Sequence, residues 1–113
     1  MNIYSYDGED FKVAFQTDSW KIGLLRYSER FSDFKVMERH LKTPEIFVLL
    51  SESATLYVRK ADESVETTVM EANKVYEVPA GEWHHITVSS DATVLVVENS
   101  DTSKENTEKV MID

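Results

Sequence analysis

The sequence contains no cysteine, so thiolate metal sites, thiol nucleophiles and disulfide staples are excluded before any pattern is read. Any metal must therefore be held by His, Asp or Glu. No apolar run approaches the length needed to span a bilayer, and Met1-Asn2-Ile3-Tyr4-Ser5-Tyr6-Asp7 lacks the basic region and apolar stretch of a signal peptide. A cytoplasmic location is the resulting expectation. Positive charge is also scarce: 12 Lys and Arg stand against 21 Asp and Glu, a formal charge of -9. Such a field repels phosphate backbones and anionic lipid, so neither nucleic acid nor a membrane surface is expected as a partner. Helical periodicity is sparse, and no internal repeat, low-complexity segment or interdomain linker interrupts the chain.

What is present is 113 residues, 42% hydrophobic and 29% charged, the size and composition of one globular domain with one core. Short β-branched and aromatic runs recur between polar turns, predicting strands at about 12–16, 20–27, 33–40, 45–50, 54–60, 66–70, 74–78, 84–89 and 93–99. Turns are expected at Ser28-Glu29-Arg30, Ser51-Glu52-Ser53, Ala61-Asp62-Glu63-Ser64 and Ser89-Ser90-Asp91. Many short, closely spaced strands predict an all-β barrel or sandwich. The polar stretch from Ser100 to Glu108 is expected to run over the surface, with Val110-Met111-Ile112 able to pin its end.

Alternation assigns the faces. Phe34, Val36, Glu38 and His40 share one face of their strand, with Lys35, Met37 and Arg39 on the other. His84, Ile86 and Val88 face inward, which turns His85 outward. Glu45 opens a strand, Ile46 to Leu50, that is apolar on both faces and is therefore expected to be buried on both. Val78-Pro79-Ala80-Gly81 reads as a type I turn delivering His84 three residues later. His40, Glu45 and His84 around one interior make two imidazoles and a carboxylate, a set suited to Fe(II), Mn(II), Zn(II) or Ni(II) with positions left open for a substrate. Glu38 is a candidate fourth ligand, or a catalytic group that moves protons.

Glu38-x-His40-x-x-x-x-Glu45 ahead of an apolar strand, then Pro79-x-Gly81-x-x-His84, resembles the two sequence motifs of the cupin superfamily over about residues 34–99. The resemblance implies a double-stranded β-helix, a jelly-roll barrel with its site inside and a tail of about 100–113, and it puts His40, Glu45 and His84 on metal-ligand positions. Glu38 stands where that family usually has its first histidine, and Ser53 where it has a turn glycine.

Other roles for these residues stay open. His40 could be a neutral core histidine bonded to Glu38 or Glu45, and Glu45 could pair with Lys42. Trp20 and Trp83 read as packing residues, whereas Arg26, Tyr27 and Tyr57 could line the cavity. Three functions follow: a metal-dependent isomerase, lyase or oxygenase acting on a small oxygen-rich metabolite; a small-molecule-binding module without turnover; or a dimerising scaffold whose site has decayed. A homodimer is expected, with N-terminal segments bearing Tyr4, Phe11, Val13 and Phe15 pairing across a two-fold axis.

Overall fold

A computed structural model of the chain describes residues 1–112. Among these the regular structure is β, apart from 3-10 turns at Glu29–Phe31 and Lys104–Asn106. The strands are β1 (Phe11–Gln16), β2 (Trp20–Arg26), β3 (Val36–His40), β4 (Glu45–Ser51), β5 (Ala54–Arg59), β6 (Val65–Val69), β7 (Tyr76–Val78), β8 (His84–Val88), β9 (Thr93–Asn99) and β10 (Thr107–Met111). They form two antiparallel sheets, in the orders β1-β2-β9-β4-β7 and β10-β3-β8-β5-β6. From β7 onward each successive strand joins the opposite sheet. That is the winding of a jelly roll, as the resemblance of the motifs implies.

Period-2 burial builds the core. Phe47 and Leu49 of β4, Val94 and Val96 of β9, Leu56 of β5 and Ile86 and Val88 of β8 meet in one buried cluster between the sheets. Phe11 packs against this cluster, its ring lying where a β-carbon on Gly23 would stand 2.2 Å away. A glycine at that position of β2 is what admits the ring.

Four local expectations change. The Pro79 carbonyl accepts a hydrogen bond from Glu82, so the turn centres on Ala80 and Gly81, one residue later than predicted. Gly81 has a φ of 82° there, which excludes the expected type I turn and favours glycine. The polar tail does not simply cross the surface: its end becomes β10, with Thr107 opposite His40 and Val110 opposite Met37. This pairing covers the edge of β3, which would otherwise expose unpaired backbone groups. Met37, assigned outward, is fully buried because both its neighbours in the sheet, Val110 and the buried His85, cover that face. Finally, β4 is buried on one face only. Ile46 and Val48 are half-buried and Leu50 is exposed, since no layer covers the outside of their sheet.

Candidate metal centre

Sheet register alone assembles the site. Glu45 at the start of β4 lies opposite Glu98 of β9 in one sheet, and Glu38 of β3 lies opposite His84 of β8 in the other. His40, two residues beyond Glu38, points the same way. The Gly81 amide donates to the His40 carbonyl at 2.7 Å, which ties the turn preceding His84 to the end of β3. Across the interior, Glu45 Oε1 stands 3.0 Å from His84 Nε2 and 3.3 Å from His40 Nε2, and Glu38 Oε1 is 3.8 Å from His40 Nε2. Glu45 thus turns away from the exposed Lys42. All four residues picked out in the sequence converge. Their neighbour Glu98, as buried as Glu45, went unnoticed there.

The hydrogen bonds around the two rings place a hydrogen on each Nδ1. The Thr107 hydroxyl donates to the Ser103 carbonyl at 2.6 Å, so its oxygen, 2.9 Å from His40 Nδ1, must accept from that nitrogen. His84 Nδ1 lies 3.1 Å from the Glu82 carbonyl, an acceptor only, and therefore donates as well. With Nδ1 carrying the hydrogen, each neutral ring presents an Nε2 lone pair to the interior. His40 Nε2 is buried and not aligned for a hydrogen bond with any neighbour. Two lone pairs facing a carboxylate leave a gap that only a proton or a cation can fill. A divalent ion fits it, and the ring nitrogens are tethered as metal-ligating histidines usually are. Two groups of side chains have ligand atoms within 4.8 Å of one another: Glu38, His40 and His84, and His40, Glu45 and Glu98.

The local charges respond accordingly. Burial opposes ionisation of Glu45, but the adjoining His40, His84 and Glu98 outweigh it and hold this carboxyl far below the usual range. Glu98 is the opposite case: burial and then the adjoining Glu45 push it up to about 8, against weak relief from Lys21 at 3.9 Å. Burial also disfavours charge on His40, yet the surrounding Glu45, Glu38 and Glu98 raise its pKa.

The cluster lies in a cavity of about 660 Å³, also lined by Phe11, Phe31, Phe47, Thr102 and Ser103. Arg30 stands at its wall, held by two 2.8 Å hydrogen bonds to Asp10. His85 is buried rather than exposed, its Nε2 donating to the Asp33 carbonyl at 3.1 Å beside the rings of Phe31, Phe34 and Tyr57. Burial lowers its pKa. The loop before β3 folds over that face, which alternation within β8 could not reveal. Arg26, Tyr27 and Tyr57 are not among the lining residues. Trp83 packs under the guanidinium groups of Arg39 and Arg59, as expected of a packing residue. The missed Glu98 had a sequence signal, since Val94, Val96 and Glu98 alternate on one face of β9. Thr107 had none, being embedded in a polar tail.

No family model matches the sequence, and no curated protein does. Solved structures do. A cupin-2 domain protein from Shewanella frigidimarina superimposes with a TM-score of 0.65 at 15% identity, over 83% of this chain and 84% of that one. Pac13 from Streptomyces, solved with uridine, gives 0.72 at 12% identity, over 96% and 85%; the protein is described as a β-barrel nucleoside dehydratase. An oxalate decarboxylase from Bacillus subtilis gives 0.66 at 15% identity over 83% of this chain, which spans only 25% of that larger protein. Strand order, the pairing of the two sheets and these superpositions agree with the motifs around His40 and His84, and together they identify the chain as a small protein of the cupin fold.

Proposed function

We propose that this protein is a metal-dependent enzyme of the lyase type, acting on a small oxygen-rich metabolite. The observation that carries this reading is the buried, unpartnered Nε2 of His40, around which the cavity brings Glu38 and His84 on one side and Glu45 and Glu98 on the other. A divalent ion held there supplies Lewis acidity to a hydroxyl or carbonyl oxygen. The chain's own part is to hold the ion, exclude bulk water with the Phe11, Phe31 and Phe47 wall, and move a proton. Glu38 is placed for the last role, being the least buried carboxylate of the three. The hydroxyls of Thr102 and Ser103 offer partners for an oxygen-rich ligand, and the cavity is of a size for a small molecule. Support also comes from two fold neighbours, whose names, dehydratase and decarboxylase, denote reactions that lose water or carbon dioxide.

The test is to strip the protein with chelator, titrate Mn(II), Fe(II), Ni(II) and Zn(II) anaerobically, and then offer small hydroxy acids, ketoses and nucleosides while assaying for loss of water or carbon dioxide. Metal-dependent turnover abolished by Glu38→Gln is expected. If no ion binds above buffer background, the enzyme reading falls and a non-catalytic binding module replaces it.

We also propose a homodimer in the cytoplasm. No helix of the described residues is long and apolar enough to cross a membrane. On the outer face of the β1-containing sheet, Ile22, Val97 and Ile46 form one cross-strand row and Leu24, Leu95 and Val48 another. Beside them Tyr4, Phe15 and Trp20 cluster, with ring centroids 5.2 and 5.7 Å apart, around a shallow apolar depression. Phe11, expected in this interface, faces the interior instead, because a β-bulge between Val13 and Phe15 breaks the alternation that would keep the two rings on one face. Sedimentation at micromolar concentration checks the pairing, and a monomer unaffected by Phe15→Glu refutes it.

A further inference from the structure

Resting on the metal-dependent reading above, we infer that Glu98 is a metal ligand, and that the ion is seated on His40 Nε2, Glu45 and Glu98 rather than on the pair of histidines.

The two groups that could hold an ion share His40, whose Nε2 has one lone pair and can bind one ion. They differ in every other respect. Glu38, His40 and His84 offer two nitrogens and one oxygen, and Glu38 is only partly buried. His40, Glu45 and Glu98 offer one nitrogen and two carboxylates, and all three residues are more than nine-tenths buried. Two carboxylates neutralise a dication completely, whereas a single one leaves a net positive charge in a partly apolar cavity. Burial of Glu45 and Glu98 as a facing pair also creates a need for positive charge. Lys21 is the cation nearest to Glu98, at 3.9 Å, and its ammonium is already donating to the Thr102 carbonyl at 2.8 Å. One lysine cannot balance two carboxylates, so without a further cation the pair must retain a proton in its place. The orphaned, buried Nε2 of His40 beside that pair marks the remaining position as one for a cation.

The chemistry of the seat sets its preference. Two hard oxygen donors per nitrogen favour Mn(II) or Fe(II), relative to Zn(II), more than a histidine pair does. His84 and Glu38 then remain outside the ion's protein ligands, with His84 Nε2 3.0 Å from the ligating Glu45.

The experiment titrates Mn(II) and Zn(II) separately into the chelator-stripped full chain, following heat and the Mn(II) electron paramagnetic resonance signal. Wild type is compared with Glu98→Gln, Glu98→Asp, Glu38→Gln and His84→Ala. We expect Glu98→Gln to weaken Mn(II) binding by at least about tenfold and to raise the relative preference for Zn(II), with partial recovery in Glu98→Asp. Glu38→Gln should change Mn(II) affinity by less than about threefold. Gln matches the shape of a protonated Glu, and far-ultraviolet circular dichroism verifies that each variant is folded. Should Glu98→Gln unfold, a folded Glu98→Asp with altered Mn(II) affinity and signal supports the assignment, and one identical to wild type overturns it. Unchanged binding in a folded Glu98→Gln, with large losses in Glu38→Gln and His84→Ala, overturns the seat while leaving a metal enzyme intact. A wild type that binds neither ion overturns both.

Discussion

Neighbouring histidines of β8 separate function from stability. His84 presents Nε2 to the cluster, whereas His85 points to the other face and is held by Asp33 and three aromatic rings. His84→Ala should leave Mn(II) affinity within about threefold of wild type, but weaken binding of a small oxygen-rich ligand to the loaded protein by tenfold or more, on the order of 1.4 kcal/mol. His85→Ala should lower stability by about 2 kcal/mol with little change in ion affinity, and chemical denaturation beside calorimetry distinguishes the two. Thr107 offers a sharper probe. Thr107→Val keeps the shape but loses the acceptor for His40 Nδ1, so ion affinity should fall roughly 10- to 100-fold, while Thr107→Ser should restore it. The Thr107 contact and the burial of His85 were not available from local sequence. Alternation within β8 sets His85 apart from His84, but no rule of alternation says which loop will cover a strand, and His85 is buried at the cavity lining rather than exposed.

At the level of strands, the paired carboxylates of β4 and β9 make stability depend on pH. Glu98 titrates at about 8 in the folded protein, above its unfolded value, so it binds a proton that the unfolded chain has already lost between roughly pH 4.5 and 8. Its contribution is full below the unfolded pKa and disappears as pH rises through 8. The raised His40 acts in the same direction, its contribution being lost above its own elevated pKa. Metal-free protein in chelator should therefore melt at a lower temperature at pH 9 than at pH 6, and Glu98→Gln should flatten that difference. Glu45, held low, opposes this only in strong acid, where its stabilisation is lost as pH falls through its folded pKa. The strands themselves were legible because inward residues recur every second position; β9 even displayed Glu98 after Val94 and Val96. β10 was not, since Thr107, Glu108 and Lys109 carry no apolar alternation and form a strand only because β3 offers them an open edge.

For the whole molecule, alternation foretold a barrel or sandwich, and the resemblance of the motifs around His40, Glu45 and His84 to those of cupins implied the jelly roll with its site inside. The covering of Met37 and the open outer face of β4 depend on how distant segments fold back, and no local pattern encodes that. The exposed rows of β2, β9 and β4 should also make Phe15→Glu more soluble and more monomeric, a change that light scattering reads directly. There is a mechanical corollary to the way the site is divided. Glu45 and Glu98 belong to one sheet and Glu38, His40 and His84 to the other, so an ion on His40, Glu45 and Glu98 is a rivet driven through two leaves. Prying the leaves apart then requires breaking coordination first. With Mn(II) at 100 times its Kd the folded state should gain about 2.7 kcal/mol, and amide exchange in β3, β4 and β9 should slow together when the rivet is in place and quicken together when a chelator draws it out.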